Sequence, residues 1–420
     1  MSGSGGPVPV LQGRLADAAR VLFILAAIGS FTSPPVANIA AFLGLCCFFA
    51  SPGALSALRA AARRPVGRGI LVFLGVMALA MLWAEADWNR RFAAWWSWRP
   101  LILLLVGTAL FAAGRWRERF AVTLVAVLAL AALLSFIARF LPTPLGIDEP
   151  GILLRNHTTQ GMALVVGAIL AAMLVWGGTL DRRWRPWLLA AIVLFIANLA
   201  VITTGRSAHV ALLLAGGLLS FGLVGGRRRW ILLFLLPVLG AAVFASSGMV
   251  RERFATAYGE FGTVATSPTE TSMGLRVVIW STTRELIARR PLLGYGVGGF
   301  APAYAQLVHQ NYTGWQAAEA KDTHNQYLHV MVEAGIPGVL AFLFFLAGVV
   351  RQWAPSPYRA TALALFGAWL LTSLANSHFQ TFAEAHLIGL VLGMLLAGSQ
   401  AAGAGDASAS ADPTAASTAS

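Results

Sequence analysis

The sequence predicts an all-α polytopic membrane protein, with about 12 transmembrane helices and a large helical loop on the outer face between spans 9 and 10. Three observations predict it. The chain of 420 residues is 58% hydrophobic and only 11% charged, with a mean hydropathy of +0.72. A water-soluble domain cannot cover that much apolar surface. The apolar residues gather in runs close to the ~20 residues that cross a bilayer. The basic residues between the runs are unevenly distributed, as the positive-inside rule requires.

In chain order the runs lie near 17–32, 36–51, 69–84, 99–114, 120–140, 160–177, 186–203, 208–224, 230–247, 336–350, 358–375 and 382–399. No A-x-A-like cleavage site precedes the first run, so it is expected to stay as an uncleaved anchor. Cys46 and Cys47 are adjacent in the second run. They read as small core residues, with no disulfide framework or metal site implied.

Placing the N-terminus in the cytoplasm puts 17 basic and five acidic residues inside, and 13 basic and 12 acidic outside. The formal charge of +13 is then mostly a topology signal, with affinity for anionic lipid heads. Nucleic-acid binding would need those charges on one wetted face, so no nucleic-acid partner is expected. The Gly/Pro-rich N-terminus (1–16) and the Ala/Ser/Gly/Thr tail (400–420) read as disordered and cytoplasmic. Spans 1–9 then occupy 17–247, the outer loop 248–335, and spans 10–12 residues 336–399.

Only the outer loop is long and mixed enough to hold chemistry. Met273 to Arg290 reads as an amphipathic helix, opened by Thr271 or Ser272 and stopped by Pro291. A second short helix is expected near Ala301 to His309. A third is expected from Asp322 or Thr323 to Glu333, ended by Gly335 and Pro337.

Three residues stand out. Arg206 lies in a tight hairpin between two spans, where it either snorkels to headgroups or grips a phosphate with its charged fork. Arg276, Trp280 and Arg284 share one helix face. That face is either solvated or, given Trp280, laid against something. His324 falls in the first turn if Asp322 or Thr323 is the cap, where the helix dipole disfavours an imidazolium. A neutral imidazole suits a general base; the alternative is a structural histidine on a polar face with Asn325 and His329.

Gly294-Tyr-Gly296-Val-Gly-Gly299 matches G-x-G-x-x-G, but no strand precedes it and no βαβ unit surrounds it. A tight turn between interfacial helices is expected instead. The outer face has no Asp-x-Asp pair, no His-x-x-x-His and no serine elbow. No metal and no cofactor are expected. A transporter would need ionisable residues near the bilayer midplane. Here His209 and Glu384 lie near span ends, which favours an enzyme.

Arg-Arg-Pro-Leu-Leu-Gly-Tyr-Gly-Val-Gly-Gly-Phe (289–300), His324-Asn325 and Glu-Ala-Gly-Ile-Pro-Gly (333–338) together resemble the core of the O-antigen ligase/polymerase family. Gly205-Arg206-Ser207 and Arg276 with Trp280 stand where that family places its arginines. The resemblance implies an enzyme of the bacterial inner membrane, acting at its periplasmic face, which agrees with the cytoplasmic termini expected from the charges. It implies an undecaprenyl-diphosphate-linked glycan as donor and, for a ligase, lipid A-core as acceptor; a polymerase would use another lipid-linked repeat. On this reading His324 is the general base, and Arg206 and Arg276 neutralise the departing diphosphate. Arg155, His157, Trp280, Arg289, Arg290, Asn325 and Gln380 bind substrate. The protein is expected to be a monomer among inner-membrane lipids.

Overall fold

The computed structural model describes residues 11–112, 115–140, 150–178, 180–203, 205–223, 226, 230 and 272–398. Among them the chain is helical, with no strand. Its first half comprises α1 (Arg14–Thr32), α2 (Pro34–Ala50), α3 (Ala54–Ala62), α4 (Pro65–Ala80), α5 (Trp88–Trp96), α6 (Pro100–Leu110), α7 (Trp116–Phe140), α8 (His157–Trp176), α9 (Arg185–Val201) and α10 (Arg206–Leu223). From residue 272 on come α11 (Ser272–Arg289), α12 (Phe300–Asn311), α13 (Gln326–Arg351), α14 (Tyr358–Thr372) and α15 (Phe382–Leu395).

Among the described residues, seven helical stretches are long and apolar enough to cross a membrane, with α5–α6 (Trp88–Leu110) counting as one and α9 with the turn before it (Arg182–Val201) as another; the bent pair α2–α3 makes an eighth candidate. This is a multi-pass membrane protein. Helices stand at every expected span except the ninth, 230–247, which lies outside the described residues apart from Trp230. The same holds for 248–271 of the outer loop. α4, α14 and α15 have 16, 15 and 14 residues. At about 1.5 Å per residue each falls short of a ~30 Å hydrocarbon core, so the count of twelve full crossings is not reached by length alone.

Three details differ from the sequence reading. The N-terminal stretch expected to be disordered to residue 16 already enters α1 at Arg14. Arg20 explains this: its buried guanidinium donates to Leu11 O at 2.7 Å and to Leu110 O at 3.0 Å, and pairs with Asp17. Second, α3 turns 107° from α2. It is a nine-residue helix that buries only Ala54, Ala57 and Ala61, an amphipathic pattern too short to register as a run. Third, α5 precedes the fourth span. Asp87 caps it by accepting the Arg90 N–H, and Trp88, Phe92 and Trp96 stay exposed.

The centre of the bundle is α8 and α15. α15 buries every residue from Ala383 to Leu395. α6 approaches α15 at Gly107 and Gly393, where a Cβ on Gly107 would sit 3.0 Å from the Gly393 Cα. Small residues at such crossings let the backbones close up, which is how helices associate where no hydrophobic effect separates protein from lipid.

α11 and α12 have a core of their own. Val278, Ile279 and Leu286 of α11 pack with Phe300, Tyr304, Leu307 and Val308 of α12 and with Val332 of α13. α13 breaks at Gly335, whose φ of 58° and ψ of −153° no helix tolerates, with Pro337 just beyond. The break frees backbone groups that need partners. The glycine turn supplies them: Tyr295 N–H donates to Val332 O and Gly296 N–H to Glu333 O, each at 2.8 Å, while Ile336 N–H donates to Leu292 O at 3.2 Å. Val297 N–H also caps Ala80 O at the end of α4. The G-x-G-x-x-G run is therefore the tight turn expected, and it locks α11–α12 to the membrane bundle.

Candidate active site

Four separate segments meet where α10, α11, α13 and the α14–α15 loop converge. The first is the hairpin between α9 and α10. Its turn is held by His209, whose ring nitrogens bond Gly205 O at 3.0 Å and Leu199 O at 2.9 Å. This fixes Arg206 at the first position of α10. The next residue, Ser207, accepts a hydrogen bond from the Asn376 amide at 2.9 Å, which ties the hairpin to the α14–α15 loop.

The second segment is α11, which carries Arg276. Burial lowers the pKa of this guanidinium, and the like charge of Arg206 lowers it further; the Asp322 carboxylate opposes both. The two guanidiniums therefore share one electrostatic neighbourhood. Arg284, on the same face by sequence, is exposed, whereas Arg276 and Trp280 are half-buried. The Trp280 indole N–H donates to Thr323 O at 3.0 Å, so the face lies against the third segment.

That segment is the loop before α13. Asp322 Oδ1 accepts the His324 N–H at 2.7 Å and the Ser377 hydroxyl at 3.2 Å. His324 Nδ1 stands 3.4 Å from the same oxygen. An Nδ1–H directed at the carboxylate leaves the Nε2 lone pair free to take a proton, a tautomer inferred from the partner. His324 has φ 47°, a left-handed conformation that a non-glycine residue adopts at a cost of about 1–2 kcal/mol. The loop fixes it there: the Thr323 hydroxyl donates to Asn325 O at 2.6 Å.

Here the sequence reading needs correction. The α13 N-cap is Asn325, whose side chain accepts the Tyr327 and Leu328 N–H groups at 3.0 and 3.1 Å; Asp322 and Thr323 are not the cap. His324 therefore precedes the helix and lies outside its first turn. Its neighbour is a carboxylate, which changes the electrostatic argument from a helix dipole to an Asp–His pair.

The fourth segment, the α14–α15 loop, brings Asn376, Ser377, His378 and Gln380. His378 is 1% exposed. Burial, aided by Arg276, pushes its pKa down to about 3, so it is a neutral imidazole in the neighbourhood of Arg276.

The remaining expected site residues divide. His157 opens α8 against Gly205, where a Cβ would lie 3.6 Å from its ring, so it borders the Arg206 hairpin. Gln380 bonds Gln326 and Ser97. Arg155, also left-handed at φ 56°, lies over the Phe382 ring at 5.4 Å. Arg289 and Arg290 are exposed and pair with Glu285 and Glu85, each at 2.7 Å. Asn325 and Trp280 hold the His324 loop, through the cap and the Thr323 bond.

Sequence reasoning passed over Asp322 as a site residue, Asn376, Ser377 and His378. The only signal for Asp322 was its position two before a histidine. Nothing local marked the α14–α15 loop, because its role comes from contacts with residues 169 and 55 positions away. Among the described residues, no group of three His, Cys, Asp or Glu side chains could hold a metal ion.

Beside the site, a cleft of about 850 Å³ is lined by residues of α5, α12, α13 and the α14–α15 loop, and by Asp322.

The comparison with curated proteins gives no match. The family model described as O-antigen ligase matches residues 190–343, a stretch that contains Arg206, Arg276, Asp322 and His324 together with the glycine turn and the α13 break. Over that stretch, on the residues that carry the resemblance in the sequence, the chain is similar to the O-antigen ligase family.

Proposed function

We propose that this protein is an O-antigen ligase: it moves an O-antigen glycan from undecaprenyl diphosphate to lipid A-core at the periplasmic face of the inner membrane. The observation that supports this reading is that Arg276 lies in the field of both Arg206 and Asp322, while Asp322 stands 3.4 Å from the His324 ring. In this reading residues 248–335 are the periplasmic catalytic loop and both termini are cytoplasmic. Residues 17–247 and 336–399 form its membrane part.

The acceptor hydroxyl attacks the anomeric carbon of the donor while the bond from that carbon to the diphosphate oxygen breaks. The hydroxyl proton passes to His324 Nε2, and Asp322 stabilises the imidazolium that forms. The diphosphate leaves with the bonding electron pair, and the two guanidiniums meet the charge that develops on it. The two half-buried guanidiniums carry like charge, and the further negative charge that develops on the diphosphate oxygen as its bond to the anomeric carbon breaks meets both of them, so the arginines favour the state in which the bond is breaking. One displacement inverts the configuration at the anomeric carbon. The donor brings its own leaving group, and this chemistry needs no metal: activity is expected to survive a chelator.

Electrophoresis of lipopolysaccharide from a deletion strain tests the reading. The expected result is loss of all core-attached chains, with lipid-linked polymer accumulating. Core bearing a single repeat would instead make the protein a polymerase.

A further inference from the structure

The cleft beside the Asp322–His324 pair has a composition the reaction so far does not use. Two cations line it, Arg90 and Lys321, against three carboxylates, Glu319, Asp322 and Glu333. Ser97, Ser377, Gln380 and Thr381 add uncharged donors and acceptors, and Phe300 an aromatic ring. Neither Arg206 nor Arg276 lines it. An excess of carboxylates repels a diphosphate, whereas hydroxyls, amides and mixed charges beside an aromatic face suit a polyhydroxylated ligand.

Its wall also contains an incomplete polar pair. His329 and Glu333 sit one helical turn apart on the outer part of α13, with side chains 6% and 2% exposed and His329 Nε2 3.4 Å from Glu333 Oε2. Glu333 Oε1 accepts the Gly298 N–H at 2.8 Å. His329 Nδ1, however, has no hydrogen-bond partner, and Glu333 Oε2 has only the long contact with the His329 ring. A buried polar atom left without one costs about 1–3 kcal/mol, and such atoms are rare enough to call for a cause. A ligand hydroxyl in the cleft supplies that cause, since it can donate to one atom and accept from another.

We propose that this cleft binds the acceptor saccharide through its hydroxyls, with His329 and Glu333 as specificity-determining residues. The inference rests on the ligase reading, and it assigns sides within the site. In a single displacement the attacking oxygen and the leaving group lie on opposite faces of the anomeric carbon. The arginines take the leaving diphosphate. The acceptor must then approach on the side of the base, and it is Asp322, the partner of His324, that the cleft shares. The volume of about 850 Å³ falls within the range of small-ligand sites, ~300–1,000 Å³, and so holds a short oligosaccharide.

The test uses the full-length protein in lipid nanodiscs with two probes, delipidated core oligosaccharide and undecaprenyl diphosphate. Ala301→Trp and Ala305→Trp each put an indole into the cleft from α12; His329→Gln keeps bulk but changes the polar partner. The expected result is a loss of oligosaccharide affinity of about tenfold or more in both Trp variants and in His329→Gln, with diphosphate binding unchanged. In transfer assays the KM for the acceptor rises and that for the donor does not. Absence of oligosaccharide binding by the wild type, equal binding by all four proteins, or loss of diphosphate binding alone overturns the proposal. If a Trp variant fails to fold, the other variant and His329→Gln still decide. Oligosaccharide binding lost in the variants, with no transfer by the wild type, keeps the cleft as a saccharide site and ends the ligase reading. Transfer with an unchanged acceptor KM does the reverse.

Discussion

Two loops meet the outer part of α13, and they carry unusual backbone in different ways. The turn at 294–299 places Gly294, Gly296 and Gly298 at φ 67°, 79° and 87°. Glycine enters that region with no steric penalty, and the turn's product is a set of backbone hydrogen bonds to the α13 break and to α4. The loop at 322–325 puts His324 in the same region at φ 47°, where an imidazole side chain does carry a penalty. Its product is a ring beside Asp322, the carboxylate that also acts on Arg276. The glycine turn looked like the chemical motif and is the joint. The histidine loop shows the strain that an uncompensated structural residue would shed.

Breaking the histidine loop should have the largest effect. His324→Ala is expected to lower the rate of glycan transfer by about 10²–10⁴-fold, the usual contribution of general acid–base catalysis, or roughly 3–5 kcal/mol in the barrier. His324→Asn sharpens the contrast, because asparagine takes positive φ more readily than histidine. It should be equally inactive yet unfold at a temperature no lower than wild type. Transfer assays and thermal unfolding of the two variants read both expectations. Near-normal smooth lipopolysaccharide from either variant would remove His324 from the reaction.

Breaking the glycine turn should cost stability first. A Cβ on Gly296 would lie 2.3 Å from the Ala84 Cα, at φ 79°. Left-handed backbone and overpacking together put the cost of Gly296→Ala at about 2–5 kcal/mol. The unfolding midpoint should fall sharply, and limited proteolysis should cut near α11 and α12. Activity lost without any change in stability would mean the turn touches substrate.

The same two loops show what the sequence could reveal. The membrane spans are legible because a run of apolar residues needs no partner to be recognised. α11 and α12 are legible too, since Pro291 and the glycines punctuate them within one window. α3 and α5 are not. One is nine residues of mostly alanine, and the other exposes its tryptophans where a core reading expects them hidden. The arginines and His324 were visible as residues out of place, but their meeting was not. Trp280 reaching Thr323, Ser377 reaching Asp322 and Asn376 reaching Ser207 are tertiary contacts across 43 to 169 positions. Local pattern carries no information about such pairs.

Asn325 gives the smallest and most discriminating comparison, because it belongs to the histidine loop yet is built like a joint. Its carbonyl oxygen caps α13 by accepting Tyr327 and Leu328 N–H, and its amide donates to Leu374 O at 2.8 Å. A cap residue changed to alanine costs about 1 kcal/mol, and serine retains most of the capping bond. Asn325→Ala should therefore lower the unfolding midpoint by a few degrees, and Asn325→Ser should recover much of that loss. If Asn325 instead acts by binding substrate, both variants should raise KM alike while their melting curves overlay the wild type. A graded stability loss places Asn325 with the glycines, as part of the frame that holds His324 in its left-handed position. His324 would then be the side chain that acts, and the residues on either side of it would serve to keep it there.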